Sequence, residues 1–354
     1  MRIAIATDAW HPQVNGVVRT LAATLNELLA REHEVELITP ARFRTVPMPG
    51  YSEIRLAVAP QFGTWRTLAD FAPDVIHVAT EGPIGWTARA WARRHGIALT
   101  SAFHTRFPDY ASIRTGIGAE RFWPLMKRFH APSQAVLVSN RGLAAELTAR
   151  GIGPCRLWSR GIDRGLFRPD GLRHPALAGL TGPIMLNVGR VAAEKNLEAF
   201  CAARVPGTKV VIGDGPARGA LSARFSEVRF LGPMEGEELA SAYRAADVFV
   251  FPSLSDTFGI VMIEALACGL PVAAFPIAGP RDVLGDNGRG PDNDLPMTVG
   301  ALAPDLAEAI GRALTLDRMG AAVYGAGFGW DRATDQFEAA LTEAVRTCRT
   351  PVPA

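Results

Sequence analysis

Asp256 and Glu264 stand eight residues apart in DTFGIVMIEALACGLPVAAFP, and Glu264 is the only carboxylate between Asp256 and Arg281. The helix expected over 259–268 is apolar almost all round and is stopped by Gly269 and Pro271, so Glu264 is buried or faces a cleft. A buried carboxylate without partners is strongly unfavourable, so Glu264 requires hydrogen-bond donors. Either an arginine of the protein or the hydroxyls of a sugar would serve. Asp256, in the loop ahead of the helix, offers the same chemistry, and the helix start at Phe258-Gly259 offers backbone N–H groups to an anion. A polyol acceptor, an anion cradle and a second polyol acceptor in one element match the hexose, diphosphate and ribose of a nucleotide sugar.

Cationic side chains are placed to complement that arrangement. The chain has three lysines, Lys127, Lys195 and Lys209, and Lys195 falls in GRVAAEKNLEAF, after a strand and at an expected helix start. A cation there opposes the helix dipole at a cost of several tenths of a kcal/mol, which a bound phosphate would reverse. Arg190 stands in the same loop. Fork-shaped Arg190 and point-charge Lys195 suit a diphosphate, and ion pairs to Glu194 or Glu198 are the alternative. Gly16, behind Asn15 at the mouth of the first helix, lets backbone approach an anion, or marks an ordinary Asn-Gly turn. His104 follows the strand at 97–102 and is either ligand-facing or a satisfied structural histidine. The loops GDGPAR and GPMEGEEL, with Gly213 and Met234, either shape a slot for a base or simply connect elements.

These residues need a scaffold that presents loops side by side. Short apolar runs at 2–7, 34–39, 74–78, 97–102, 135–139, 183–188, 208–213, 227–231, 247–251 and 271–275 read as strands, with helical patterns between them such as 17–31, 140–149, 236–246 and 259–268. Continuous apolar strands alternating with helices predict parallel sheets covered on both faces. A length of 354 residues suits two such α/β domains facing a central cleft, doubly wound and Rossmann-like. The Pro- and Gly-rich stretch RPDGLRHPALAGLTGP at 168–183 is the expected boundary: 1–170, then 171–330, with a helix over 331–354 packing back on the first domain. Ligands of such sheets bind at the carboxyl ends of the strands.

Composition narrows the setting. No apolar run is long enough to span a membrane, and the amino terminus reads as a buried strand and not as a signal peptide. The four cysteines are scattered without metal-ligand spacing, which predicts reduced thiols and a cytoplasmic protein. Residues 1–171 hold 21 Lys and Arg against 14 Asp and Glu, a net +7, whereas 172–354 hold 16 against 21, a net −5. A basic first half suits an anionic partner, or is uneven surface charge without one. The absence of a GxGxxG after a strand argues against a nicotinamide-dependent oxidoreductase.

With NGVVRTL, FHTRFPDY, SRGIDRGLF, GRVAAEKN, GDGPA and PSLSDTFGIVMIEALACGLPVAA in that order, the chain resembles the retaining family 4 glycosyltransferases of the GT-B fold. That family includes bacterial mannosyltransferases and glycolipid synthases, and the resemblance covers nearly the whole chain. It implies that Gly16, Arg190 and Lys195 bind the donor diphosphate and that Asp256 holds the hexose. It places backbone at Phe258 and Gly259 near sugar and phosphate, Glu264 on the ribose, His104 beside the reacting sugar, and Gly213 and Met234 along the base pocket. Many members have Glu at both acidic positions, so the shorter Asp256 bears on sugar preference. The resemblance further implies catalysis without a bound metal and a UDP-sugar donor, with GDP-mannose as the alternative. No residue stands out as a nucleophile, which favours same-face displacement assisted by the leaving phosphate.

Two arginine- and aromatic-rich segments suggest the acceptor. GWTARAWARRHG carries Trp86, Arg89, Arg93 and Arg94, and ERFWPLMKRFH carries Arg121, Trp123, Lys127 and Arg128. Basic and aromatic residues on an amphipathic segment suit an anionic membrane surface, although a core aromatic face with solvated arginines has the same pattern. The expectation is a monomer, peripheral to the inner membrane, that moves a hexose or hexuronic acid to diacylglycerol or a glycosyl-diacylglycerol and binds no nucleic acid. Rivals are a GDP-mannose-dependent α-mannosyltransferase acting on another lipid or glycan, a sugar-nucleotide epimerase, and a non-catalytic nucleotide-sugar-binding module.

Overall fold

In the computed structural model, which describes residues 1–13, 15–48, 51–104, 106–254, 256 and 258–349, the chain divides into two units. One is Met1–Arg160 together with the segment from Trp330, and the other is Gly161–Gly329. The division falls ahead of the stretch at 168–183.

The first unit contains, in chain order, β1 (Arg2–Ala6), α1 (Gly16–Ala30), β2 (Glu34–Ile38), the antiparallel pair β3 (Thr45–Met48) and β4 (Tyr51–Ala57), α2 (Gln61–Phe71), β5 (Val75–Val78), α3 (Pro83–His95), β6 (Ala98–Phe103), α4 (Phe107–Thr115), α5 (Trp123–His130), β7 (Ala135–Val138), α6 (Arg141–Ala149) and β8 (Cys155–Leu157). Six of these strands form a parallel sheet in the order β2-β1-β5-β6-β7-β8. Successive strand residues point to opposite faces, and both faces are covered. Ile3 and Ile5 join one apolar cluster with Leu21 and Leu28 of α1, while Ala4 and Ala6 join another with Ile84 and Ala88 of α3.

The second unit repeats the plan with β9 (Ile184–Val188), α7 (Leu197–Ala202), β10 (Thr208–Ile212), α8 (Arg218–Arg224), β11 (Arg229–Gly232), α9 (Gly236–Ala245), β12 (Val248–Phe251), α10 (Ile260–Ala267), β13 (Val272–Ala274), α11 (Ala278–Leu284), β14 (Gly300–Leu302), α12 (Leu306–Ala313) and α13 (Arg318–Gly325). Its parallel sheet runs β11-β10-β9-β12-β13-β14. Leu186 and Val188 face one cluster, Met185 the other.

Each strand expected from the sequence is present, with ends shifted by a residue or two. The antiparallel pair β3–β4 was not expected, nor, in the parallel sheets, were β8 and β14. Both β8 and β14 are three residues long at a sheet edge, too short to show a period in the sequence.

A final helix, α14 (Trp330–Arg349), closes one face of the first sheet. Phe337, fully buried, sets its ring 4.8 Å from His77 of β5 and 4.7 Å from Trp158 beyond β8. Arg31 at the end of α1 pairs with Asp335 and Glu338 of the same helix. Because Phe337 plugs the sheet face, Phe337→Ala should destabilise the first unit by about 3–5 kcal/mol, read from urea unfolding. A cost under about 1 kcal/mol would show that α14 docks without this anchor.

Candidate active site

Sheet order sets the site of the second unit. The chain leaves β9 for β10 and β11 on one side, then returns to β12 beside β9 and continues to β13 and β14 on the other. Loops leaving β9 and β12 therefore part to opposite faces and open a crevice at the carboxyl ends of the strands. Lys195 comes from the first loop and Asp256 from the second, and Lys195 Nζ donates to Asp256 Oδ1 at 2.6 Å. Neither Glu194 nor Glu198, the partners considered from sequence, takes Lys195, and Glu198 pairs with Arg224 instead. Nor does Lys195 open a helix. It ends a single 3-10 turn, Ala193–Lys195, and α7 starts after Asn196, whose backbone is left-handed at φ 52°.

The two loops are fastened to each other by amides and a hydroxyl. Asn187 Nδ2 donates to the Val250 carbonyl at 3.0 Å and Asn196 Nδ2 to the Pro252 carbonyl at 3.1 Å. Ser253 Oγ donates to the Glu194 carbonyl at 3.4 Å. Beneath the second loop lies Gly279 of α11, where a Cβ would come within 2.7 Å of the Asp256 carbonyl. Asp256 is thus held with Oδ1 on Lys195, while Oδ2 is buried without a hydrogen-bond partner among the described residues. Thr257, between Asp256 and Phe258, lies outside the described residues.

Helix α10 begins at Ile260, capped by Gly259 at φ 85°, and a Cβ on that glycine would meet the Phe251 ring at 2.8 Å. Phe258 turns its side chain into the core, so its backbone is what it offers the loop. Glu264 is 3% exposed and is not a lone charge. Tyr243 of α9 donates its hydroxyl to Glu264 Oε2 at 3.1 Å. That partner, on the preceding helix, has no signature in the spacing of the sequence.

The loops after β9, β10 and β11 also lie together. Gly213, at φ 137°, passes so near Gly189 that a Cβ would sit 1.9 Å from the Gly189 carbonyl oxygen. Val191 N donates to the Asp214 carbonyl and Gly213 N to the Gly232 carbonyl. Met234 is half-buried against the core beside them, and Arg190 is exposed at the end of β9.

In the first unit, His104 stands buried at the carboxyl end of β6, where Arg160 Nη2 donates to its Nδ1 at 3.0 Å. Burial, then Arg160 and His77, hold its pKa well below the usual 6.5. Gly16 opens α1 and is exposed, but Asn15 Oδ1 already accepts from Val17 N and Val18 N, so two of the helix's first N–H groups are engaged.

The residues expected at a membrane surface separate into two groups. Trp123 is buried and stacks on Phe103, and Trp86 packs edge-on against Phe129. Arg89 is buried, donating to the carbonyls of Phe129 and Arg128. These three serve the core, because helical spacing alone cannot tell an inward aromatic from an outward one. Arg93, Arg94, Arg121, Lys127 and Arg128 are exposed.

Residues 14–166 match the model of Glycosyltransferase Family 4, and residues 182–315 that of Glycosyl transferases group 1. The chain is 31% identical over 335 residues to a GDP-mannose-dependent alpha-mannosyltransferase of Mycobacterium tuberculosis, covering 88% of this chain and 87% of that protein. The chain belongs to the family 4 glycosyltransferases. This glycosyltransferase is also 30% identical to the sulfoquinovosyl transferase SQD2 of Arabidopsis thaliana over 70% of its own length and 51% of SQD2. Among solved structures, a sucrose-phosphate synthase from Thermosynechococcus elongatus shares its fold at a TM-score of 0.68 and 24% identity, over 98% of this chain and 97% of that one. The architecture is that of the GT-B glycosyltransferases.

One charged group of the transferase went unnoticed in the sequence. Asp8, just past β1, accepts from Ile84 N at 3.1 Å, Gly85 N at 3.3 Å and Thr80 Oγ1 at 3.1 Å. It thereby caps α3 from a distant strand, and burial pushes its pKa up from 3.8 to about 6. A carboxyl raised in the folded state favours folding fully below its unfolded pKa, and that contribution fades as pH rises through the folded pKa. Between about pH 3 and pH 8 the wild type should therefore lose about 3 kcal/mol of stability through this group. Asp8→Asn, which cannot titrate, should lack that component, so the stability difference between the two proteins should vary with pH across this window. A difference constant with pH would exclude the assignment.

Proposed function

We propose that this glycosyltransferase moves a hexose, or a hexuronic acid, from a nucleoside-diphosphate sugar to a lipid acceptor such as diacylglycerol or a glycosyl-diacylglycerol. The observation that carries the donor half is the row of groups at the strand ends of the second sheet: Lys195 on Asp256, an Asp256 Oδ2 without a partner among the described residues, and Glu264 on the helix that follows. In this reading Arg190 and Lys195 bind the diphosphate and meet the charge of the leaving group. Asp256 accepts from hexose hydroxyls and is released from Lys195 as the phosphate takes that cation. Glu264 accepts from the ribose hydroxyls, steadied by Tyr243. Backbone at Phe258 and Gly259 runs beside sugar and phosphate, and Gly213 and Met234 flank the base. In the first unit, Gly16 offers backbone to a phosphate and His104 faces the reacting sugar. Transfer proceeds with retention and without a bound metal.

Two donors are in contention. GDP-mannose is favoured by the M. tuberculosis relative, which matches over nearly the full length of both chains. A UDP-sugar, or a sulfonated or uronic hexose, is the alternative. Calorimetry of GDP and UDP followed by incubation of labelled sugar nucleotides with total bacterial lipid separates them. Glu264→Ala should weaken nucleotide binding by about tenfold or more while leaving the unfolding transition in place. Unchanged affinity would sink the ribose role, and a collapse of stability alone would mark Glu264 as structural.

Lipid acceptance is supported by the SQD2 likeness and by a surface of the first unit. Phe62 is 85% exposed on α2 and shares a helix face with Trp65 and Arg66, and the exposed Arg93, Arg94, Arg121, Lys127 and Arg128 belong to the same unit. No helix of the described residues is long and apolar enough to cross a membrane. We therefore place the protein at the cytoplasmic face of the inner membrane as a peripheral monomer. It should co-sediment with anionic vesicles in a salt-sensitive manner, and Phe62→Ser with Trp65→Ser should weaken that binding about tenfold. Failure to bind vesicles, or to glycosylate lipid in micelles, would remove the lipid acceptor.

A further inference from the structure

Arg160 lies in the segment SRGID. It ends the first unit, and it is 6% exposed. Its guanidinium donates to the Trp158 carbonyl at 2.7 Å, to the Ser159 carbonyl at 3.3 Å and to His104 Nδ1 at 3.0 Å. Among the described residues no carboxylate pairs with it, and burial lowers its pKa only to about 10, so it is a cation at neutral pH. A buried cation spent on two carbonyls and one imidazole is a costly way to tie down a loop, which suggests that the imidazole is the purpose.

The chemistry of the contact is one-directional. A guanidinium has donors and no acceptor, so the imidazole nitrogen that meets it has to offer a lone pair. His104 Nδ1 is therefore unprotonated and Nε2 carries the hydrogen. Trp158, whose ring centroid is 5.2 Å from that of His104 and 5.4 Å from the Arg160 guanidinium carbon, forms a common wall for both groups. We propose that Arg160 is the positioning residue for His104, holding it as the neutral Nε2–H tautomer in a fixed ring plane, so that His104 serves a bound ligand as a hydrogen-bond donor and never as a proton acceptor. The inference rests on the reading of His104 as ligand-facing. The titratable groups that act on the ring are Arg160, beyond β8, and His77 of β5, and both work with burial to keep it uncharged. His77 is itself buried, with Nδ1 2.9 Å from Thr100 Oγ1 and its pKa lowered to about 3, so it adds no compensating negative charge.

Nitrogen-15 spectra of the full-length protein with labelled histidine test this directly, with the His104 signals assigned by their loss in His104→Gln. Between about pH 5.5 and 8.5 the wild type should show an unprotonated Nδ1 and a protonated Nε2 that do not titrate. In Arg160→Met the His104 signals should begin to titrate, and the pH profile of kcat/KM should gain an acid limb. Its kcat should fall about tenfold with KM changed less. Arg160→Lys, which keeps a donor-only cation, should restore the fixed tautomer in part. A protonated Nδ1 in the wild type, titration near pH 6.5, or His104 signals unchanged in both Arg160 variants would overturn the proposal. The wild-type spectra decide it even if Arg160→Met does not fold. Failure of the wild type to transfer any sugar would instead overturn the proposed function, and the spectra keep the two outcomes apart.

Discussion

A parallel sheet covered on both faces leaves one place for polar chemistry, the loops that leave the carboxyl ends of its strands. Both units obey that constraint. In the second, residues such as Leu186 and Met185 fill opposite faces of β9 with no polar group to spare, while Asn187 is buried only by bonding the Val250 carbonyl of the neighbouring strand. Everything that could bind a ligand is displaced to the strand ends, where Arg190, Lys195, Gly213, Met234 and Asp256 collect. In the first unit the same constraint puts Asp8 and His104 at the ends of β1 and β6.

Once the loops are gathered, small residues decide how near they come. Gly213 against Gly189, Gly279 against the Asp256 carbonyl and Gly259 against Phe251 are close approaches that a Cβ would block. The bonds of Asn187, Asn196 and Ser253 then tie the loop after β9 to the loop after β12, and there Lys195 and Asp256 meet although they are 61 positions apart in the chain. An ion pair in this position has a plain use. It keeps each charge from standing alone, and in the proposed function it is exchanged for a phosphate on one side and hydroxyls on the other.

The buried polar groups share one strategy, which is to fix a side chain through a partner from a distant element. Tyr243 holds Glu264, Arg160 holds His104, and Thr80 with the start of α3 holds Asp8. Each would be expensive to leave unsatisfied, and each is therefore rigid.

Much of this was legible in the sequence. Apolar runs alternating with helical patterns determined two doubly wound sheets, because continuous apolar strands buried on both faces admit few other folds, and the segments after the strands marked Arg190, Lys195, Asp256 and Glu264 as candidates. Pairing across the chain was not legible. Beside a phosphate, the only protein partners the sequence offered Lys195 were the neighbouring glutamates, because spacing shows only what is near in sequence, and Glu264 looked solitary because Tyr243 reaches it from another helix. Trp86, Arg89 and Trp123 were read outward although the core claims them, since a helix's periodicity gives its apolar face without saying what covers it. Local propensity and pattern determined the elements and the candidate chemistry. Which charge meets which, and which aromatic is hidden, only the tertiary structure decided, because those contacts depend on strand order and not on distance along the chain.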